Sequence, residues 1–535
     1  MSLILRTGLK YIGHLDPLLS FVNDVGLQHI MAIAATGFVA YRLIRAYFFS
    51  PLRHIPGPIL SRLTDLRCEL YCATGYMGAN ARADYERYGD IYVYQPNSIA
   101  ISNPADVRAV LGSNAVTKAH YYRILDFTGI ENTLSARSPE LANMRRRQLG
   151  PYFNHAYLAR MEPVVIKRGI LSIKQKWDTL IQASKDGWAE VNYSNDFLFA
   201  TFGTISTLVF GEQMKELKSN DQSTLDWISS TLMYLGIRSM FSLLPRFPFA
   251  LLLQPWERQY EQLSSYTNIS IAKRRELLSS IGGDGRNAET SKPVDLLQAF
   301  LDAEDPESKI RMDPVHIHAE SLLMLQAGSE TTANTLMWTI HLLTLYPEHY
   351  KHAAKEVRSA FGKDHLITYS EARSQLPFVE ACIYESLRLA PATGGLLPRV
   401  APKGGIMLSG HFIPEDTVVF VNVAGANLNK GYWEEPHLYN PHRFLDNEEA
   451  RRNVLTFSSG MRICPGRHLA WMEMLTIVAN LLKDYNFELP ADCTHLGPGV
   501  LDKKGYPRLL DSKFFIITKP TSAARDCRLL ISRHE

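Results

Sequence analysis

Apolar residues in this chain gather into long runs more often than they alternate. From Leu323 to Leu345 they dominate with no continuous polar face, which predicts a helix that crosses the core. Asp313-Pro314 ahead of it reads as an N-cap followed by proline in the first turn, and Pro347 closes it. The middle of this helix is out of character. Gly328, Ser329, Glu330, Thr331 and Thr332 interrupt the apolar pattern, and such breaks inside a strong element mark function. Leu376–Leu389 predicts a second helix, ended by Ala390-Pro391. Short runs at Ile91–Tyr94, Ile99–Ser102, Ile406–Leu408 and Val418–Asn422 are bounded by turn residues and predict strands. The expected fold class is mainly α with a small β region.

The N-terminus follows another pattern. Val25–Tyr41 has seventeen residues without a formal charge, and a second apolar run, Ala46–Phe49, follows Arg42 and Arg45. Seventeen is the lower end of the range for a spanning helix, and arginines at its end can snorkel to headgroups. Arg42, Arg45, Arg53 and Arg62 lie on one side of the run, which puts the rest of the chain in the cytosol. The run starts late and no small-x-small site follows, which argues against a cleaved signal peptide. The alternative is a buried amphipathic helix. Pro51, Pro56 and Pro58 then predict a stiff, extended connector. The expected organisation is an N-terminal segment (1–24), a transmembrane anchor (25–49), a Pro-rich hinge (50–60) and one catalytic body (61–535).

Composition narrows the function. The chain has 535 residues, 46% hydrophobic, with a net charge of +3, too balanced for nucleic-acid binding. No repeat or linker divides the body, and Ser279–Pro293 reads as a surface loop. Six scattered cysteines, Cys68, Cys72, Cys382, Cys464, Cys493 and Cys527, make no disulfide framework and suit a reducing compartment. Cys68 and Cys72, four apart, read as two buried thiols on one helix face rather than a metal site. His316, His318 and Glu320 have a metal-like spacing but read as the first turn of the central helix. Asn192-Tyr-Ser194 and Asn268-Ile-Ser270 fit the glycosylation pattern, yet a cytosolic body would not be modified.

The strongest signal is Phe457-Ser-Ser-Gly460-Met-Arg462-Ile-Cys464-Pro465-Gly466. Gly460 and Gly466 permit tight turns and close approach of the backbone to something flat. The apolar run after His468 predicts a helix starting just past Cys464, and a cysteine at a helix N-terminus favours thiolate. Arg462 adds a permanent cation suited to a carboxylate. Thiolate is a good ligand for iron.

This segment resembles the cysteine-ligand loop of the cytochrome P-450 superfamily, F-x-x-G-x-R-x-C-x-G, at every fixed position. Three more segments follow the family's order. Ala327-Gly328-Ser329-Glu330-Thr331-Thr332 resembles its oxygen-activation segment, in which Gly328 would open space for dioxygen and Glu330 and Thr331 would form an acid–alcohol proton relay. Glu385-Ser-Leu-Arg388 resembles E-x-x-R, and Pro441-His-Arg443-Phe444 resembles P-x-R-F; together they imply a Glu385–Arg388–Arg443 scaffold cluster. Arg399 resembles the family's arginine that meets a haem propionate. Among Arg145, Arg146 and Arg147 the register implies Arg146 for the same task, although Ala142 stands where relatives have an aromatic residue or histidine.

The resemblance implies a microsomal-type haem-thiolate monooxygenase similar to fungal biosynthetic members, with haem b (iron protoporphyrin IX) held by Cys464. Phe457, Gly466, Arg462, Arg399 and Arg146 would complete the cofactor site. It implies dioxygen, an apolar small-molecule substrate, an NADPH-dependent reductase and a single-pass anchor in the endoplasmic reticulum membrane. Arg462, Arg467, Arg451 and Arg452 could dock the reductase. Pocket walls would come from Tyr121–Ser135, part of Ser229–Leu253, Met324–Ser329, Thr393–Leu397 and Leu496–Leu501. Two alternatives stay open: a haem-thiolate isomerase or dehydratase needing no external electrons, and a non-enzymatic membrane haem sensor.

Overall fold

A computed structural model describes residues 27–211, 222–240, 248–280 and 295–535. The chain opens with helix α1 (Leu27–Ile44), extended by a wider turn over Arg45–Phe49. Met31, Ile33, Phe38, Phe48 and Phe49 lie on its surface, and the Met31–Phe49 stretch is long and apolar enough to cross a membrane. The apolar window thus begins six residues later than the uncharged run suggests and takes in both Arg42 and Arg45. The segment 1–24 and residues 281–293 of the expected loop lie outside the described residues; Ser279 and Ser280, where that loop was expected to start, end the helix Gln254–Ser280.

The helices that frame the interior are α2 (Leu66–Thr74), α3 (Pro139–Leu149), α4 (Tyr193–Phe210), α5 (Gln222–Met240), α6 (Pro314–Leu345), α7 (Pro377–Leu389) and α8 (Arg467–Asp484). Helix α6 has 32 residues, about 48 Å at the usual rise per residue. Asp313 caps it as expected, its carboxylate accepting from the His316 N–H at 2.9 Å. Its apolar side chains meet others on every side, so it runs through the interior. Ile205 on α4, Leu325 and Leu336 on α6, Ile383 and Leu387 on α7, and Leu475 and Val478 on α8 form one continuous core.

The β region is small. Strands β1 (Ile91–Gln95), β2 (Ser98–Ile101), β3 (Thr117–Lys118), β4 (Leu396–Val400) and β7 (Val418–Asn422) make one sheet in the order β1-β2-β7-β4-β3. Only β2 and β7 run parallel in it. Strands β5 (Ile406–Leu408) and β6 (His411–Ile413) form a hairpin, as do β8 (Ser512–Phe515) and β9 (Ile517–Pro520). Strand ends differ by one residue from expectation at β1 and β2. A second core lies against the large sheet, built from Ile99, Ile101, Val419, Val421, Leu408 and Ile413.

Two sequence features resolve here. His316 turns to Asp313 at 2.7 Å, His318 to the Ser264 carbonyl at 3.2 Å, and Glu320 to the Thr133 N–H at 2.8 Å. The three point apart, and no metal-binding cluster of such residues occurs among the described residues. Cys68 and Cys72 share one face of α2 with sulfurs 4.0 Å apart, but they are half-buried rather than buried. Tyr94 and Met77 are their neighbours, at 3.3 and 3.4 Å.

Candidate active site: a cysteine loop beneath a cluster of unpaired cations

The cysteine loop is fixed at both ends. Leu455 is buried, and the Thr456 hydroxyl donates to the Leu387 carbonyl on α7 at 2.8 Å. The Cys464 N–H then donates to the Phe457 carbonyl at 2.9 Å, closing the loop on itself. Gly460 is irreplaceable on two counts. Its φ is +64°, and a Cβ there would lie 2.5 Å from the Gly112 Cα. Gly466 differs from expectation: its φ of −76° suits any residue, and a Cβ would stand 3.9 Å from the Cys464 sulfur. Cys464 sits just before α8. Burial pushes its thiol up, while N–H groups of Gly466 and Arg467 and the Arg467 charge favour the thiolate.

Two arginines stitch this loop to α3. Arg146 donates to the Met461 carbonyl at 2.6 Å, and Arg462 reaches the Ser138 carbonyl, at the N-cap of α3, at 3.4 Å. The neighbours of Arg146 are committed elsewhere. Arg145 is buried against Gln148 at 2.7 Å and Glu320 at 3.6 Å, and Arg147 pairs with Asp305 at 2.6 Å.

Arg462 faces further cations. Antiparallel pairing of β3 with β4 sets Lys118 directly opposite Arg399. Like charges facing across strands are destabilising. Burial, then Arg399, then Arg462 hold the Lys118 ammonium well below its usual range. Burial, Arg399 and Arg146 also lower Arg462. Tyr122 sits among them: its hydroxyl accepts from Arg399 at 2.8 Å, and its ring lies 4.6 Å from the Lys118 nitrogen. Among the described residues no carboxylate pairs with Lys118, Arg146, Arg399 or Arg462. A cluster of four cations with two nearly buried members needs an anion of high charge.

The central helix supplies the third part. Successive helical residues point about 100° apart, and Glu330 and Thr331 take different neighbours. Glu330 is buried, ion-paired with Lys519 on β9 and accepting from Gln326 at 2.8 Å. Burial raises its pKa, and Lys519 opposes that shift. The Thr331 hydroxyl donates to the Ala327 carbonyl at 2.7 Å. Ala327, Gly328 and Thr331 are half-exposed in a helix that is otherwise buried nearby. A Cβ on Gly328 would meet Ile205 of α4 at 2.7 Å, so its bareness lets α4 and α6 approach closely.

A family model described as cytochrome P450 matches residues 78–498. The chain belongs to the cytochrome P450 family. It is similar to three monooxygenases of that name from Aspergillus fumigatus. With helB1 it is 45% identical over 96% of this chain and 87% of the relative. With helB2 it is 44% identical over 95% and 99%, and with helB3 41% over 92% and 96%. The protein is accordingly a P450 monooxygenase, an oxidoreductase that works with dioxygen, an organic substrate and a redox partner.

The family's cofactor is a haem held by a cysteine thiolate, and the P450 residues gathered here fit one. The four unpaired cations match a flat dianion carrying two carboxylates, and Cys464, just before the N-terminus of α8, would be the thiolate donor. The scaffold residues also come together. Arg388 donates twice to Glu385, at 2.6 and 2.7 Å, and once each to the Asn427, Pro436 and Leu438 carbonyls. Arg443 lies 3.4 Å from the same carboxylate, which also takes the Asn440 N–H at 2.9 Å. Arg451 is ion-paired with Glu380 and Glu448, at 3.3 and 3.2 Å.

Sequence reading missed Lys118 and Lys519, and it placed Tyr122 and Gln326 only within expected wall segments, without a role of their own. None lies in a motif, and only strand register or helix packing brings them to the site. An apolar cluster joins Tyr122, Leu125, Leu232, Ala392 and Ile517. Three of these fall in expected wall segments; Ala392 sits one residue before such a segment, and Ile517 of the C-terminal hairpin lies outside all of them.

Proposed function

We propose that the chain is a membrane-anchored monooxygenase that binds haem b through Cys464 and inserts one oxygen atom from dioxygen into an apolar small molecule. The reaction is R–H + O2 + NADPH + H+ giving R–OH + H2O + NADP+, or the matching epoxidation, with an NADPH-dependent reductase as electron donor. The step is a tailoring reaction in fungal secondary metabolism, and the anchor, residues 25–49 with a hinge at 50–60, holds the 61–535 body on the cytosolic face of the endoplasmic reticulum. The observation that carries this reading is the set of four cations beside the Cys464 loop that no carboxylate among the described residues neutralises.

When bound, the haem supplies activation of dioxygen. Cys464 ligates the iron as thiolate, and Gly466 and Arg467 N–H groups hold that charge. Phe457 fixes the cysteine backbone through its carbonyl. Arg146, Arg399, Arg462 and Lys118 orient the two propionates. Thr331 is the hydroxyl on the half-exposed face of α6, and it hands on protons whose supply lies at Glu330. The two side chains do not touch, so water links them. Gly328 serves this arrangement by seating α6 against Ile205. Glu385, Arg388 and Arg443 hold α7, on which the cysteine loop rests. Tyr122, Leu125, Leu232, Ala392 and Ile517 give a dry, apolar wall, which favours an apolar substrate. Fungal relatives named as monooxygenases support the tailoring role, and the apolar Met31–Phe49 helix supports the anchor.

The test is metabolite profiling of a fungal host with and without the chain, co-expressed with a reductase under 18O2. A new product carrying one labelled oxygen, dependent on NADPH, supports the reading. A product formed without NADPH or label would place the chain with isomerases or dehydratases instead.

A further inference from the structure

The residues that hold Glu330 also hold α5. Gln326 Nε2 donates both to the Glu330 carboxylate, at 2.8 Å, and to the Ile228 carbonyl on α5, at 3.2 Å. Lys519 repeats the arrangement from another direction. Its ammonium pairs with Glu330 and donates to the Ser229 carbonyl at 3.0 Å. Two successive carbonyls of one helix are thus bonded to the two donors that set one buried acid. A carbonyl has a second lone pair, so these bonds add to the helix's own. Helix α5 also supplies Leu232 to the apolar wall, beside Tyr122 and Ile517. Glu330 is 3% exposed and Lys519 is 29% exposed, so of the pair it is Lys519 that meets solvent.

We infer that Lys519 and Gln326 are positioning residues that couple the seating of α5 against the apolar cluster of Tyr122 and Ile517 to the setting of Glu330. This rests on the role proposed for Glu330 in proton supply. When α5 moves, the two nitrogens lose or re-aim bonds shared with the acid, so Glu330 cannot keep its surroundings. Substrate that holds α5 in this position therefore also keeps the acid's bonding in place. The P450 motif includes neither residue: Gln326 lies just before it, and Lys519 lies in the last hairpin of the chain.

Hydrogen exchange of the haem-loaded full chain in lipid nanodiscs tests the coupling, with the Glu330 carboxyl band followed by infrared spectroscopy. In K519M, Q326L and E330Q, exchange in peptides covering Ile228–Leu235 should rise about tenfold, the scale of one lost charge-assisted hydrogen bond. The Glu330 band should shift in K519M and Q326L, and K519R should restore both readouts. If K519M does not load haem, Q326L and E330Q decide, since neither alters β9. Wild-type exchange in E330Q, or a looser α5 with an unmoved Glu330 band, would overturn the coupling. Neither readout needs turnover, so a failure of Glu330 to supply protons appears separately, as undiminished product formation in E330Q.

Discussion

Replacing Lys118 by methionine tests what the cation cluster is for. The residue is 8% exposed, faces Arg399 across the β3–β4 pair and has Arg462 as a further neighbour. Its ammonium bonds the Leu134 carbonyl, which the substitution frees. If the cluster exists to hold two propionates, losing one charge-assisted hydrogen bond costs the haem complex about 1.5–3 kcal/mol. Relief of the cross-strand repulsion returns about 0.2–1 kcal/mol to the protein itself. Haem transfer to excess apomyoglobin should therefore quicken roughly tenfold to a hundredfold, since about 1.4 kcal/mol is a factor of ten. Arg147→Met is the control, because Arg147 is engaged by Asp305 at 2.6 Å and stands outside the cluster. The reasoning fails if Lys118→Met releases haem at the wild-type rate, or if Arg147→Met releases it as fast.

Glu385→Ala leaves Arg388 buried and uncompensated, and should cost about 3–5 kcal/mol in urea unfolding, with loss of haem-loaded protein. Gly328→Ala should cost about 1–3 kcal/mol by overpacking against Ile205, and the cost should shrink in an Ile205→Ala background. Glu320 is buried, and its carboxyl is pushed up to about 7 from an ordinary value near 4.5. A raised carboxyl means the folded state binds more protons than the unfolded one between those values, so stability falls as pH rises across that window. Urea midpoints at pH 5 and pH 8 should show this slope in the wild type and a flatter one in Glu320→Gln; equal slopes would exclude Glu320 as the source.

How much of this was readable from sequence depends on how local each feature is. The cysteine loop was legible because its fixed residues lie close together in sequence, and Gly460 answers a local demand with its positive φ. Glu385 and Arg388 were legible because three residues apart on a helix is a contact distance. Asp313 announced the start of α6 by its own capping chemistry. What depended on phase or register was hidden. Glu330 and Thr331 are adjacent in sequence, yet the helix turns them to different partners. The contact Gly328 permits with Ile205 shows only once the packing of α4 on α6 is known. Lys118 acquires meaning only from standing opposite Arg399, and Lys519 only from the return of the last hairpin onto α6. Among the three arginines of α3 the choice needed their partners: Glu320 and Asp305 engage two, and Arg146 reaches the loop.

The most direct test of the central claim is the absorption spectrum of the reduced, carbon monoxide-bound protein, in wild type and in Cys464→Ala. The wild type should give the red-shifted Soret band of a thiolate-ligated haem, and the variant should lose it. A wild type without that band, or a band that survives the substitution, would show that Cys464 is not the ligand.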